Sequence, residues 1–269
     1  MPVSSSEMAL GLVVITLLAL AAYRLKSLDR DGLIAGIVVG GIILAGGGWP
    51  GLIIMMVFFA VSAFSTRLRY DYKRRLGFGQ EKGGARGWRN TFANGGVAAA
   101  AALAGLLSGG VIFSAAFLGA MASSTADTLA TEIGLLSRSR PRLITKLRKK
   151  VGAGTSGGVT LLGELMAVIG SLLIGIVAVL LGFSVVSFVG VILITLLGGF
   201  AGSHFDSLLG ATVQGMNRCV VCGVVTEGGI HHGKPTVSVK GVRFIGNNAV
   251  NFLSTIMGAL VAVAVAYII

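Results

Sequence analysis

Long apolar runs alternate with short polar ones along this chain. The apolar segments fall at 8–23, 32–47, 50–66, 93–107, 110–136, 157–182, 184–209 and 247–268. Each approaches the roughly 20 residues that a helix needs to cross a bilayer, although several fall short of it. Polar loops follow the first, third, fifth and seventh segments, at 24–31, 67–92, 137–156 and 210–246. Tight turns follow the second, fourth and sixth, at Gly46–Gly51, Ser108–Gly110 and Gly182–Ser184. The pattern predicts an all-α, polytopic membrane helix bundle of about eight transmembrane helices. It forms a single transmembrane domain over residues 1–269, with its larger basic-side loops at 67–92, 137–156 and 210–246.

Composition agrees with this class. Hydrophobic residues make up 54% and charged residues 12%, against about 25% charged in a soluble domain. The mean hydropathy is +0.89, and a soluble fold this apolar would expose aggregating patches. Forty-two glycines suit helices whose backbones approach closely in lipid. The net charge of +12 does not indicate nucleic acid, because the stacking aromatics expected beside a basic surface are scarce at 7%. Instead all 22 Lys and Arg lie in the four polar loops. The positive-inside rule makes that face cytoplasmic and puts both termini outside. No basic stretch precedes the apolar run from Met8, which favours an uncleaved first helix over a signal peptide cleaved near Leu18–Ala22.

The acids are distributed differently. Asp127, Glu132, Glu164 and Asp206 sit inside apolar segments, where ionisable groups are costly and usually functional. Ser-x-x-Asp-[Thr/Ser]-Leu occurs twice, as Ser124–Leu129 and Ser203–Leu208. At 100° per residue, Ser123, Ser124 and Asp127 share a face in the fifth helix, and Gly199, Gly202, Ser203, Asp206 and Gly210 share one in the seventh. Both helices run toward the basic face, which predicts similar depths for Asp127 and Asp206. Two facing carboxylates repel each other, and Mg²⁺ would remove that repulsion while holding substrate phosphates. The alternative is a packing role, with the acids bound to Arg, Ser or Thr. Glu132 lies about 140° from Asp127 on the same helix and need not share the site.

Three further patterns lie on the basic side. Val151–Gly158 is glycine-rich and is expected to open the sixth helix, with Thr155 or Ser156 as its cap and exposed N–H groups for phosphate. Asn94 enters the fourth helix, and Asn247, Asn248 and Asn251 enter the eighth; each alone reads as a cap. Cys219-Val-Val-Cys222 followed by His231-His232 resembles half of a zinc site. Ordinary reduced thiols in a loop are the simpler reading, since adjacent histidines rarely ligate one ion.

Taken together, Asn94-Gly-Gly-Val, Ala126-Asp127-Thr-Leu-Ala-Thr-Glu132-Ile-Gly, Pro141-Arg-Leu-Ile-Thr145, Gly154-Thr-Ser-Gly-Gly158 and Asp206-Ser-Leu-Leu-Gly-Ala-Thr-Val-Gln214 resemble one integral membrane family. That family was long of unknown function and includes plant phytyl-phosphate kinase. The resemblance runs from about Asp29 to Leu253. The wider group resembles CTP-dependent polyprenol kinases and CDP-diacylglycerol synthases. The resemblance implies Mg²⁺-dependent phosphoryl transfer from a nucleoside triphosphate, CTP above others, to an isoprenyl monophosphate. It implies Asp127 and Asp206 as metal-binding catalytic acids, with Glu132 secondary. Lys146, Thr155, Ser156, Gly157 and Gly158 would bind nucleotide phosphate, together with Asn94. Many relatives are expected to carry His-Cys where this chain has His231-His232. Prenyl-alcohol kinase and lipid cytidylyltransferase activities would use the same site, and an alcohol acceptor would want a base such as Asp127, Asp206 or His204. An anionic-solute transporter is the alternative of another class, although its repeats are commonly inverted. Membrane lipids are the expected surroundings, nucleic acid is not an expected partner, and the sequence admits an oligomer.

Overall fold

The computed structural model describes residues 3–75, 84–183, 187–226 and 228–269. Residues 76–83 of the 67–92 loop, Ser184 of the third tight turn and Glu227 of the last loop lie outside the described residues.

Helix α1 (Ser5–Arg24) starts on a capping box. The Glu7 backbone N–H donates to Ser4 Oγ at 3.3 Å, and the Ser4 N–H donates to the Glu7 carboxylate at 2.9 Å. Helix α2 (Arg30–Arg67) starts on Asp29, which accepts from the Gly32 N–H at 2.9 Å. Its 38 residues would extend about 57 Å if straight, nearly twice a bilayer core. Gly48 interrupts it with φ +61° and ψ −165°, a conformation open to glycine at no steric cost. Gly51 then packs on Ile43, and Met55 on Gly40, so the two halves fold back antiparallel.

Next come the short α3 (Tyr70–Arg75), α4 (Trp88–Ser108) and α5 (Val111–Gly134). Gly109 and Gly110, both at positive φ, make the turn between the last two. α6 (Leu161–Leu180), α7 (Phe188–Thr212) and α8 (Asn247–Ile268) complete the bundle. With α2 divided at Gly48, each of the eight apolar segments of the sequence contains a helix, although the 157–182 segment opens on β-strand rather than helix. α1, α2, α4, α6, α7 and α8 are long and apolar enough to cross a membrane. α5 is the most enclosed of the long helices, packed by α2, α4, α6, α7 and α8. Its residues Phe117 to Ala126 are all buried, because neighbouring helices rather than lipid surround it.

The loops contain structure that hydrophobic periodicity did not predict. β1 (Arg142–Leu143), β2 (Lys146–Lys150) and β3 (Gly158–Val159) form an antiparallel sheet in the order β2-β1-β3. β4 (Met216–Cys219), β5 (Val225–Thr226), β6 (Ile230–His231) and β7 (Lys234–Lys240) form a second, in the order β5-β4-β7-β6. Strands of two residues are too short to show an alternation of their own. The four polar loops meet on one face of the bundle. The Asp29 and Arg86 backbones bond the first loop to the second, with Asp29 N–H donating to Arg86 O and Arg86 N–H to Ser27 O, both at 3.0 Å. Gly157 of the third loop lies against Ala211, where the fourth begins.

Candidate active site at the basic end of the bundle

Close packing of α5, α7 and α8 sets the geometry. Gly119, Gly198 and Gly258 meet backbone to backbone, and a Cβ on Gly198 would come within 2.8 Å of the Gly258 carbonyl. One turn nearer the basic face, Gly202 packs on Ser123, whose Oγ donates to the Ser254 carbonyl at 3.0 Å. The pairs Gly119–Gly198 and Ser123–Gly202 have the same sequence offset, so α5 and α7 lie parallel and in register. Asp127 and Asp206 share that offset and stand one turn further on. Their carboxylates are within electrostatic reach of one another. The repeated Ser-x-x-Asp motif is therefore also a repeat in space.

Helix α8 runs antiparallel to both and supplies Asp206 with donors. Ser254 Oγ donates to Asp206 Oδ2 at 3.0 Å. With its amide nitrogen turned to the carboxylate, Asn251 donates to the same oxygen at 3.1 Å and to the Asn247 carbonyl at 3.0 Å. Ser254 was missed in the sequence, yet it continues a polar stripe of Asn247, Asn251, Ser254 and Thr255 at helical spacing. The asparagines are not caps, as their position had suggested. α8 starts at Gly246 and α4 at Gly87, neither with a side-chain cap. Asn94 is buried a full turn beyond Asn90, donating to the Asn90 carbonyl at 2.9 Å. Its own carbonyl accepts from Ser124 Oγ at 2.7 Å, tying α4 to the Asp127 turn.

Glu132 belongs to a separate network. Lys73 Nζ lies 2.6 Å from Glu132 Oε2, both side chains being almost inaccessible, and also donates to the Ser65 carbonyl at 2.8 Å. Thr66 Oγ1 donates to Glu132 Oε1 at 3.2 Å, and Arg86 Nη2 donates to Thr66 Oγ1 at 3.4 Å. Burial pushes the Arg86 guanidinium down to about 10, partly opposed by the charge of Glu132. Glu132 thus fastens α3 and the Arg86 loop to the end of α5. Lys73 carried no sequence signal apart from its place among other loop cations. His204 also stands apart. Its Nε2 lies 3.0 Å from Glu164 Oε2, and its ring stacks on Phe200 with centroids 4.0 Å apart.

The glycine-rich segment does not open α6. That helix begins at Leu161, where Thr160 accepts from the Gly163 N–H at 3.0 Å. A single Thr set just before an apolar run outcompetes Thr155 and Ser156, because residues 152–157 turn back to form β3. Thr155 donates to Gly152 O at 2.8 Å within that turn. Ser156 Oγ donates to the Gly210 carbonyl at 2.9 Å and bonds Gln214 Oε1. Gly157, at φ +79°, sits where a Cβ would lie 2.5 Å from the Ala211 Cβ. The segment therefore lies on the end of α7, and Gly210 follows Asp206 by one helical turn. Gly158 pairs with Leu143 in the sheet. Lys146 is exposed at the start of β2.

A cavity of about 530 Å³ opens between α1, both halves of α2 and α4. Val39, Leu52, Met55 and Phe58 are among its apolar walls, and Arg67, Arg86, Asn90 and Asn94 line it too. In the last loop the sulfurs of Cys219 and Cys222 and a ring nitrogen of His231 converge within 4.8 Å. The Cys222 backbone N–H above all, then His231 and the Val221 N–H, hold the Cys219 thiol down to about 6 against its partial burial. His232 is not one of this group among the described residues; its ring stands edge-on to His231.

Over residues 13–259 the sequence matches the family described as integral membrane protein DUF92. It is similar to Protein PGR of Arabidopsis thaliana, 33% identical over 96% of both chains. It is also similar to an uncharacterized membrane protein of Methanocaldococcus jannaschii, MJ0933, 28% identical over 95% of this chain and 92% of that one. The chloroplastic Protein VTE6 of Arabidopsis thaliana is 22% identical, over 88% of this chain and 64% of its own length. No solved structure matches. Since the match covers most of the chain and extends almost end to end with Protein PGR, this protein belongs to the integral membrane family DUF92.

Proposed function

We propose that this protein is a membrane-embedded kinase that passes the γ-phosphoryl group of a nucleoside triphosphate, CTP by family resemblance, to an isoprenyl monophosphate. An oxygen of the lipid phosphate attacks the γ-phosphorus and the bond to the β-phosphate oxygen breaks. The products are the isoprenyl diphosphate and the nucleoside diphosphate. One observation carries the reading: Asp127 and Asp206 continue the parallel register of α5 and α7 at one level in the bundle, within electrostatic reach of one another.

Two carboxylates in this setting form a hard oxygen donor set that suits Mg²⁺, which binds protein through one or two carboxylates and leaves room for substrate phosphates. Bound there, Mg²⁺ would neutralise phosphate charge and draw the triphosphate to the site. Ser254 and Asn251, both on α8, fix the Asp206 carboxylate by donating to its Oδ2. Phosphoryl transfer needs alignment and charge neutralisation more than covalent help, and the loop cations supply positive charge. An acceptor that is already an oxyanion needs no general base, which agrees with His204 being engaged by Glu164. The cavity beside α4 supports a lipid acceptor: its walls are apolar, and Arg86, Asn90 and Asn94 offer a polar end near the Asp127 turn.

The test supplies purified protein with Mg²⁺, γ-labelled CTP and, separately, an isoprenyl phosphate, an isoprenol and phosphatidic acid. Label in isoprenyl diphosphate, lost in Asp127→Asn and in Asp206→Asn, is the expected result. Label in isoprenyl monophosphate would reassign the acceptor to the alcohol. CDP-lipid formed from phosphatidic acid would reassign the reaction to cytidylyl transfer. No transfer from any nucleoside triphosphate to any of the three would overturn the reading.

A further inference from the structure

We propose that the last polar loop is a zinc site, with Zn²⁺ held by the thiolates of Cys219 and Cys222 and by Nδ1 of His231, and with water as the fourth ligand. This inference is independent of the kinase reading and uses none of its residues.

The loop is shaped for such an ion. Cys219 ends β4, and the chain turns at once through Val220, Val221, Cys222 and Gly223. The Gly223 N–H donates to the Cys219 carbonyl at 3.0 Å, with Gly223 at φ +72°. Cys219 N–H donates to the Val224 carbonyl at 2.9 Å, closing the hairpin to β5. The turn points backbone donors at the first sulfur, with the Val221 N–H 3.3 Å from Cys219 Sγ. Sulfur receiving N–H donors is stabilised as thiolate, the form that binds metal.

The third ligand comes from another strand. His231 ends β6, which pairs with β7 at His231–Lys234. Its Nδ1 lies 3.6 Å from Cys222 Sγ. A tetrahedral zinc with Zn–S near 2.3 Å and Zn–N near 2.0 Å places its sulfur and nitrogen ligands about 3.6 Å apart. All three ligand atoms fit inside 4.8 Å, so an ion can enter with little rearrangement of the backbone. Two thiolates and an imidazole are a borderline-soft set, which suits zinc and is wrong for Mg²⁺ or Ca²⁺. His232 is exposed at φ +53° in the turn between β6 and β7 and does not converge with the three. Cys222 is also exposed, so solvent reaches the fourth position.

Such an ion would link the β4–β5 hairpin to β6, across the intervening β7. The base of that sheet is anchored beside α7, where Lys240 Nζ donates to the Gly210 carbonyl at 2.7 Å. Zinc at the tip would hold both hairpins against each other in a loop with little apolar core.

The test uses the full chain, purified without a histidine tag or chelator, with metals measured by mass spectrometry. About one zinc per chain is expected, as for a specific site. After exchange, Co²⁺ should give a sulfur-to-cobalt charge-transfer band. Cys219→Ser and Cys222→Ser should lose most of the metal, His231→Ala should weaken it, and His232→Ala should keep it. Any variant that fails to fold is set aside, since the wild-type cobalt spectrum needs no variant. Wild-type protein with neither zinc nor a cobalt–thiolate band after reduction would overturn the site. So would a Cys219–Cys222 disulfide in protein isolated from freshly blocked cells, or equal metal loss in His232→Ala.

Discussion

At the scale of single residues, the four acids placed in apolar segments divide into two kinds. Asp127 and Asp206 stand at matching positions of parallel helices, within electrostatic reach of one another, whereas Glu132 and Glu164 each have a cationic or ionisable partner of their own. Replacing either aspartate by asparagine keeps shape and removes charge. Each change should lower phosphoryl transfer roughly 100-fold or more, while detergent-solubilised protein keeps its melting temperature; a loss of folding in step with activity would contradict the assignment. Glu132 should behave oppositely. Lys73→Met removes the ammonium that lies 2.6 Å from the buried Glu132 carboxylate and should cost about 3–5 kcal/mol of stability. The double change Lys73→Met with Glu132→Leu should recover most of that, measured by thermal unfolding in one detergent. The aspartate pair was legible because burial in an apolar run is costly and because the motif recurs. The partners of Glu132 were not, since Lys73 looks like any loop cation until the chain brings α3 beneath α5.

At the scale of elements, the helices were legible and the loops were not. Apolar runs long enough to span lipid permit few alternatives to helix, and the turns between them are marked by Gly48, Gly109, Gly110 and Gly182, all at positive φ. Three of the five strand pairings in the two small sheets are local hairpins, whose strands are mostly too short to show an alternation of their own. The other two, β1–β3 and β4–β7, join segments farther apart, which a local pattern does not encode. The same limit hid the true start of α6 and left Val151–Gly158 misread as a helix entrance rather than a brace on α7. The glycine contacts between α5, α7 and α8 are the more consequential element-level feature. A Cβ on Gly202 would lie 2.0 Å from Ser123 Oγ and 2.9 Å from the Ser254 carbonyl. Gly202→Val should therefore push α7 from α5, costing about 1–3 kcal/mol or more. It should lower activity beyond what the stability loss explains, because the two carboxylates separate. An activity equal to wild type would show that their spacing does not matter.

At the scale of the whole molecule, all described Lys and Arg residues lie at or beyond the helix ends of one face, where the four loops meet. Single cysteines introduced into a Cys219→Ser, Cys222→Ser background test that sidedness. Ser139→Cys and Ser238→Cys should react with an impermeant maleimide from one side of sealed vesicles. Ser5→Cys and Ser108→Cys should react only from the other. Labelling of Ser108→Cys together with Ser139→Cys would mean that the helix count between them is even, contrary to the fold.

The route by which the chain travels from α5 to α7 has a consequence of its own. One helix, α6, lies between them, so the chain goes out and returns, and the second copy of the motif enters the membrane pointing the same way as the first. A two-helix unit joined to its duplicate has this property whatever its sequence: corresponding side chains arrive at the same height above the midplane. Copies of a one-helix or three-helix unit would arrive upside down, with their acids on opposite sides of the bilayer. A lone carboxylate stranded in lipid is a liability, but doubling the hairpin that carries it brings a twin alongside. The repeat thus sets Asp127 and Asp206 at one height in the bundle, with no further change needed to align them.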